Sequence, residues 1–246
     1  MKIDKVYIIT IEHTDENYSS LIERLNKLKL PEGIPYQIWS GVEGRKLFKT
    51  EEGRKDYGIK FYDKWNIGGD FWDRDVTTGE AGGISSHVEV WEDAYENGYQ
   101  NVLIIEDDFE PVGVIDWNCF DELDDYDYDL IFLSRLLNKH HENVYDSNVG
   151  LNHFVKPGYS YNTHIYIMSY DGIKKLKETN LDILRNNIIV SDEFLPATYA
   201  WHPRQDLRAM FNQNMNALAL NWDPIGQFRS EHNGNSSTSP LKGVDY

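Results

Sequence analysis

Apolar positions along the chain fall into short β-branched runs that alternate with longer segments of helical spacing. Lys5-Val-Tyr-Ile-Ile-Thr-Ile11 predicts a first strand. Asp15 then caps a helix in which Leu21, Leu25 and Leu28 share one face. Pro31, Gly33 and Pro35 close that unit, and Tyr36-Gln-Ile-Trp-Ser40 resumes as a strand ending at Gly41. Strand, helix and strand within about 35 residues make a βαβ unit at the head of a parallel sheet.

Residues 43–78 break this rhythm. They hold Tyr57, Phe61, Tyr62, Trp65, Phe71, Trp72 and the pair Gly68-Gly69 with little periodicity, and are expected to form a flap near the site. From Gly79 the helical spacing returns through Ile84, Val88, Trp91 and Tyr95, and Asn97-Gly98 supplies a stop. Val102 to Ile105 is a short apolar run typical of a strand buried on both faces. Tyr128 to Ser134, Phe154-Val155 and His164 to Ser169 predict further strands, and Asp171 and Ser191-Asp-Glu each open a helix. Most of the acids from Asp121 onward read as a solvated loop. The polar stretch at 230–246 is either a disordered tail or a strap over a ligand. No repeat or linker divides the chain, so one domain over residues 1–246 is expected, with a mostly parallel central sheet and helices on both faces.

Composition narrows the partners. A net charge of -17 argues against nucleic acid or an anionic membrane as the main partner, while a divalent metal could still bring in a phosphate-bearing small molecule. Cys119 is the only cysteine, which excludes an intrachain disulfide. No signal-peptide pattern and no apolar run of about 18 residues is present, so a cytoplasmic protein is expected. Aromatic residues make up 13% of the chain, which suits sugar or base stacking and core filling alike.

The candidate chemistry begins where the strand at Val102 runs into Glu106, Asp107 and Asp108. Three carboxylates at the end of a buried strand repel one another unless a positive group sits among them. A hard divalent cation, sharing its coordination with substrate phosphates, meets that need; the bland alternative is an acidic turn in solvent. In open α/β sheets ligands lie beyond the carboxyl ends of the strands. That edge would include Thr10, Ile11, Glu12 and Gly41.

The order of these elements resembles glycosyltransferase family 25, the group that holds lipooligosaccharide and collagen galactosyltransferases. In that family a G-E-x-G-C-x-x-S-H-like segment leads through a Trp-containing helix into an apolar strand closed by E-D-D. The matching residues here are Gly79-Glu80-Ala81-Gly82-Gly83-Ile84-Ser85-Ser86-His87, Trp91, and Val102 to Asp108. Tyr166 to Leu176 is similar to the family's later Y-x-I-S-x-x-G-A-x-x-L element, and Asp192 is the candidate for its following acidic motif. The likeness spans roughly residues 5 to 200. It departs at Thr10-Ile11-Glu12, where the family has Asn-Leu-Asp, in the missing arginines of the next turn, and at Gly83, where the family has cysteine.

The resemblance implies a GT-A-like fold, a UDP-sugar donor carrying galactose or glucose, manganese, inversion at the anomeric carbon, and a glycan or glycoprotein hydroxyl as acceptor. Residue chemistry alone would not choose manganese over magnesium. Alternate residues of an extended chain share a face, so Glu106 and Asp108 can point together. Asp108 is then the expected metal ligand, Glu106 orients the donor or joins the metal, and Asp107 can replace either. Asp192 is the expected base, with Glu193 behind it; the alternative is a helix start favoured by acidic charge. Glu80, Ser86 and His87 are candidates to bind donor phosphates or sugar hydroxyls, set against a core histidine and a first-turn acid. His232 is a candidate third metal ligand, and Trp39 and Tyr161 are candidates for stacking on base or sugar. His140-His141 with Glu142 is set aside, because adjacent strand side chains point to opposite faces. The rival classes are a non-catalytic carbohydrate-binding protein and a metal-dependent phosphoesterase, which would want two metals about 4 Å apart.

Overall fold

The computed structural model describes residues 1–65, 74–137 and 144–227. The expected opening unit is present as β1 (Lys5–Thr10), α1 (Asp15–Lys27) and β2 (Tyr36–Ser40). The cap of α1 is Thr14 rather than Asp15: its backbone is extended and its hydroxyl accepts from Asn17 N at 3.1 Å. There follow α2 (Gly44–Leu47), α3 (Glu51–Tyr57), α4 (Thr78–Glu96), β3 (Asn101–Glu106), β4 (Phe109–Pro111) and a 3-10 helix at Trp117–Leu123. The middle of the chain supplies β5 (Leu130–Phe132), β6 (Leu136–Leu137), β7 (Ser147–Asn148), β8 (Phe154–Lys156), β9 (Ser160–Tyr161) and β10 (Ile165–Ser169). The last part holds α5 (Tyr170–Thr179), α6 (Leu181–Asn186), α7 (Ser191–Tyr199), α8 (Gln205–Met210), β11 (Ala217–Leu220) and β12 (Ile225–Gln227).

Eight strands form the central sheet in the order β2-β1-β3-β10-β5-β11-β8-β7. The pairings make β2, β1, β3, β5, β11 and β7 run one way, with β10 and β8 against them. The sheet is therefore mostly parallel, with one antiparallel strand between β3 and β5. Side-chain alternation divides it into two buried faces. Tyr7, Ile9, Ile104, Phe132 and Tyr166 meet Ile84, Val88 and Trp91 of α4, Ile173 and Leu176 of α5, and Phe194 of α7. Val6, Ile8, Leu103, Ile105 and Ile165 meet Leu21 and Leu25 of α1 and Phe120 and Leu123 of the 3-10 helix. Among the described residues no helix is long and apolar enough to cross a membrane.

One expectation changes. In the stretch read as a flap, the described parts are folded into the body: Phe48, Ile59, Tyr62 and Trp65 are all buried in the core beside α4. Short helices bury their aromatics one at a time, which leaves no period to see. Gly68-Gly69, Phe71 and Trp72 lie outside the described residues, as do His140-His141-Glu142 and the tail with His232. Most acids of the stretch from Asp121 onward do face solvent, with Asp121, Asp124, Asp125 and Asp127 exposed, and only the last, Asp129, is in the core. Asp129 is 0% exposed, held by Lys175 Nζ at 2.8 Å and Asn216 N at 2.7 Å.

The position of α4 depends on a close backbone contact. A Cβ on Gly82 would lie 2.5 Å from Val42 O and 2.7 Å from Gly44 N, so only glycine lets the start of α2 rest on α4. A Cβ on Gly83 would meet nothing within 4 Å. Gly82→Ala should therefore lose roughly 1–3 kcal/mol of stability through overpacking. Gly83→Ala should be neutral or gain up to about 1 kcal/mol from helix propensity. Urea unfolding of the two variants checks both signs.

Candidate active site

The carboxyl ends of β1, β2 and β3 meet at one edge of the sheet, and β10 enters the sheet at that same edge. Glu106 closes β3 on the α4 face. Its Oε1 lies 2.8 Å from His87 Nε2, and its backbone N donates to His164 O at 2.7 Å. Asp107 turns to the α1 face, where the Thr10 hydroxyl donates to its Oδ2 at 2.5 Å. Thr10 Oγ1 also accepts from Glu12 N at 3.0 Å and Asn17 Nδ2 at 3.2 Å, so Thr10 and Glu12 brace the first loop. Arg24, buried on α1, donates from Nη1 to the carbonyls of Asp107 and Phe109, each at 2.8 Å. It places a cation beneath the acidic turn.

Asp108 follows in the turn before β4. Its Oδ2 accepts from Gln227 Nε2 at 3.3 Å, while its Oδ1 is buried without a hydrogen-bond partner among the described residues. Asp192, in the first turn of α7, accepts at Oδ1 from Thr163 N at 3.0 Å and Thr163 Oγ1 at 3.1 Å. Electrostatics tie these groups to one place. Burial pushes the Asp108 carboxyl up to about 8, helped by the charges of Glu106, Asp107 and Asp192. Burial also pushes Asp192 up to about 6, with Glu106 adding to it and the Thr163 bonds opposing it. Asp107 is raised by burial and by Glu106, against the Thr10 bond and Arg24. Glu106 goes the other way. Burial works against its charge, but the His87 bond and the imidazoles of His87 and His164 hold it below the ordinary carboxylate range.

An orphaned Asp108 oxygen amid three other carboxylates is a donor set that suits a hard divalent cation. Among the described residues no three His, Cys, Asp or Glu side chains are grouped as a ready metal cage. Any such ion would rely on Asp108 together with water and substrate oxygens, the habit of magnesium and manganese at phosphate-binding sites.

Several candidate residues are committed to the fold. Glu80 closes a capping box with Thr77 and is gripped by Arg74 at 2.5 and 2.8 Å. Ser86 is buried; it donates to Gly82 O and accepts from Val42 N, both at 2.8 Å. His87 lies well inside α4 and not at its start, and it too is buried. Glu193 is 0% exposed and takes bonds from Tyr159 Oη and His202 Nε2, each at 2.6 Å, away from the Asp192 bonds to Thr163. Trp39 packs edge-on against Tyr7 with its centroid 5.7 Å away. Gly41 sits where a Cβ would be 3.1 Å from Ile11 Cγ2 and 3.3 Å from Ser86 Oγ, so it serves close packing. Ile11 stands 57% exposed at the site's rim.

The structure also supplies residues that sequence reasoning missed. Arg24 is one. His164 is another: it flanks Glu106 on the same face, it is 1% exposed, and neither ring nitrogen has a partner among the described residues. Burial lowers its pKa against the charges of Glu106 and Asp223. Arg135, just past β5, reaches Ser160 Oγ at 3.0 Å and Asp146 at 2.5 Å. Only an acid-rich strand paired to an unknown neighbour could have hinted at them.

In open α/β sheets ligands lie in the crevice beyond the carboxyl ends of the strands, and the acids converge at that edge. Residues 3–194 match the family model described as "Glycosyltransferase family 25 (LPS biosynthesis protein)", and the chain belongs to that family. It is 27% identical to an Aedes aegypti "Glycosyltransferase 25 family member" over 95% of this chain and 37% of that protein. It is 28% identical to the Xenopus laevis "Procollagen galactosyltransferase 1-A", with the same coverage of 95% and 37%. A Bos taurus "Probable inactive glycosyltransferase 25 family member 3" is 29% identical over 86% of this chain and 34% of that protein. The chain thus spans about a third of the length of the curated relatives it matches.

The raised acids make a pH prediction. A carboxyl held protonated only in the folded state stabilises the fold below its unfolded pKa, and this is lost as pH rises through the folded value. For Asp108 the loss runs from about pH 4 to about pH 8, and for Asp192 it ends near pH 6. Glu106, with a lowered pKa, acts with the opposite sign and only below the ordinary Glu range. In chelator, the thermal midpoint should fall between pH 6 and 8, and Asp108→Asn should flatten that fall. An equal slope in both proteins would contradict the assignment.

Proposed function

We propose that this chain is a metal-dependent, inverting glycosyltransferase that moves a hexose from a UDP-sugar to a hydroxyl of a glycan or glycoprotein. The observation that carries this reading is the convergence of Glu106, Asp108 and Asp192, with one buried Asp108 oxygen unpaired among the described residues. The family description names LPS biosynthesis and one relative is named a galactosyltransferase, so UDP-galactose is the first donor to try.

Asp108 would hold manganese, or magnesium in its place. When bound, the ion supplies Lewis-acid charge that offsets the negative charge growing on the leaving diphosphate. Glu106, fixed by His87, accepts hydrogen bonds from donor hydroxyls and so sets the sugar's orientation. Asp192, turned by Thr163 and raised to about 6, takes the proton from the attacking acceptor hydroxyl. One base and no covalent intermediate give attack from the face opposite the diphosphate, hence inversion. Glu193 cannot share that role while Tyr159 and His202 enclose it.

Thermal unfolding with a panel of nucleoside diphosphates, each with manganese or chelator, tests the reading. A ligand at 100 times its Kd stabilises the fold by about 2.7 kcal/mol. The expected result is a rise for UDP that requires manganese and is absent in Asp108→Asn. Asp192→Asn should keep that rise while transfer or hydrolysis of UDP-galactose drops by about 10²–10⁴-fold. No nucleotide response with metal present would sink the proposal in favour of a carbohydrate-binding protein.

A further inference from the structure

Glu106 is the end of a buried chain of hydrogen bonds that begins far from the acids. His87 and Trp91 are four residues apart on α4 and share its buried face. β10 runs against β3 with Tyr166 opposite Ile104, on the same face as Glu106 and one pleat inward. Trp91 Nε1 lies 3.0 Å from Tyr166 Oη, Tyr166 Oη lies 2.8 Å from His87 Nδ1, and His87 Nε2 lies 2.8 Å from Glu106 Oε1.

The chemistry of the first link sets the direction of all the others. An indole N–H can only donate, so the Tyr166 oxygen accepts from Trp91 and its single hydrogen goes to His87 Nδ1. Nδ1 is then an acceptor, and the imidazole hydrogen sits on Nε2, facing Glu106. If Nδ1 carried the hydrogen, the Tyr166 oxygen would receive two donors. Its own hydrogen would then be buried with no acceptor. Burial keeps the phenol protonated by pushing its pKa well above the ordinary value. Trp91 and Tyr166 are fully buried and His87 is 1% exposed, so water cannot substitute for the two inner links, while the chain ends on a Glu106 side chain that is 34% exposed. His164, on the other flank of Glu106, has no partner at either nitrogen among the described residues, and the imidazole that bonds the carboxylate is that of His87.

We propose that Trp91, Tyr166 and His87 form a one-way hydrogen-bond chain that delivers a single imidazole N–H to Glu106, and that His87 is thereby a positioning residue. It holds the Glu106 carboxylate in one orientation to receive the hydroxyls of a sugar nucleotide. This rests on the transferase reading for its substrate, while the direction of the chain stands on geometry alone.

The two parts have separate tests. Long-range 1H–15N NMR of the histidine-labelled protein should show His87 as the Nε2–H tautomer, and Tyr166→Phe should shift it towards a mixture. In kinetics, manganese-dependent hydrolysis of UDP-galactose serves as an acceptor-independent readout. His87→Gln can place an amide N–H near the Nε2 position and should keep the KM for UDP-galactose close to that of the unaltered protein. His87→Leu should raise that KM by about tenfold or more, the range of a charge-assisted hydrogen bond, with a smaller change in kcat. An Nδ1–H tautomer in the unaltered protein would overturn the proposal. So would Gln and Leu variants with equal thermal midpoints and equal KM. If the unaltered protein consumes no UDP-galactose, the transferase reading is what fails, and the tautomer still decides the chain.

Discussion

Crowding of negative charge at the half-buried end of β3 is the constraint from which the site's design follows. Three consecutive, half-buried acids lie together there, with a fourth, Asp192, arriving from α7. The fold meets each in a different way. Glu106 gains an imidazole, Asp107 a hydroxyl, and the turn that carries them rests its carbonyls on a buried guanidinium. Of these four, Asp108 is the one with a buried oxygen that has no hydrogen-bond partner among the described residues. A fold selected only for stability would have replaced it with a group that is satisfied. Perturbed acids gathered at one sheet edge are the pattern of a working site.

The rest of the architecture serves that edge. α4 must lie close enough for His87 to reach Glu106, and the bare backbone of Gly82 against Val42 and Gly44 sets that distance. Antiparallel β10 brings Thr163 and His164 to the same end of the sheet as Glu106. A parallel strand in its place would have delivered its last residues there instead of its first. α7 then needs only its first turn to present Asp192.

Local pattern made much of this legible beforehand. The β1–α1–β2 unit, the α4 periodicity and the β3 run each show in a window of a few residues, and alternation alone separates Asp107 from Glu106. What failed was anything that depends on a neighbour distant in sequence. The antiparallel register of β10 leaves no trace in its own residues, so His164 passed unnoticed. Nothing local to Arg24 marks it as the cation that will be buried beneath the acidic turn. Glu80 and Ser86 belong to residue types that cap helices as readily as they bind sugars, and only the partners, Thr77 with Arg74 and Val42 with Gly82, tell the uses apart. The aromatics of 43–65 misled for a related reason: each fills its own gap in the core, and gaps have no period.

The order of the sheet bears on how the chain assembles as it leaves the ribosome. β11 comes near the end of the described chain, yet it lies inside the sheet between β5 and β8. Until it emerges, β5 has an unpaired edge in the middle of what will become a buried layer. β12 then laces the chain to β4, directly after the acidic turn. The stretch that matches the family, residues 3–194, thus stops short of an interior strand. The nascent protein can seal the hydrophobic layer beside its acids only once β11 has emerged, well after β5, so the edge of β5 stays open over that interval.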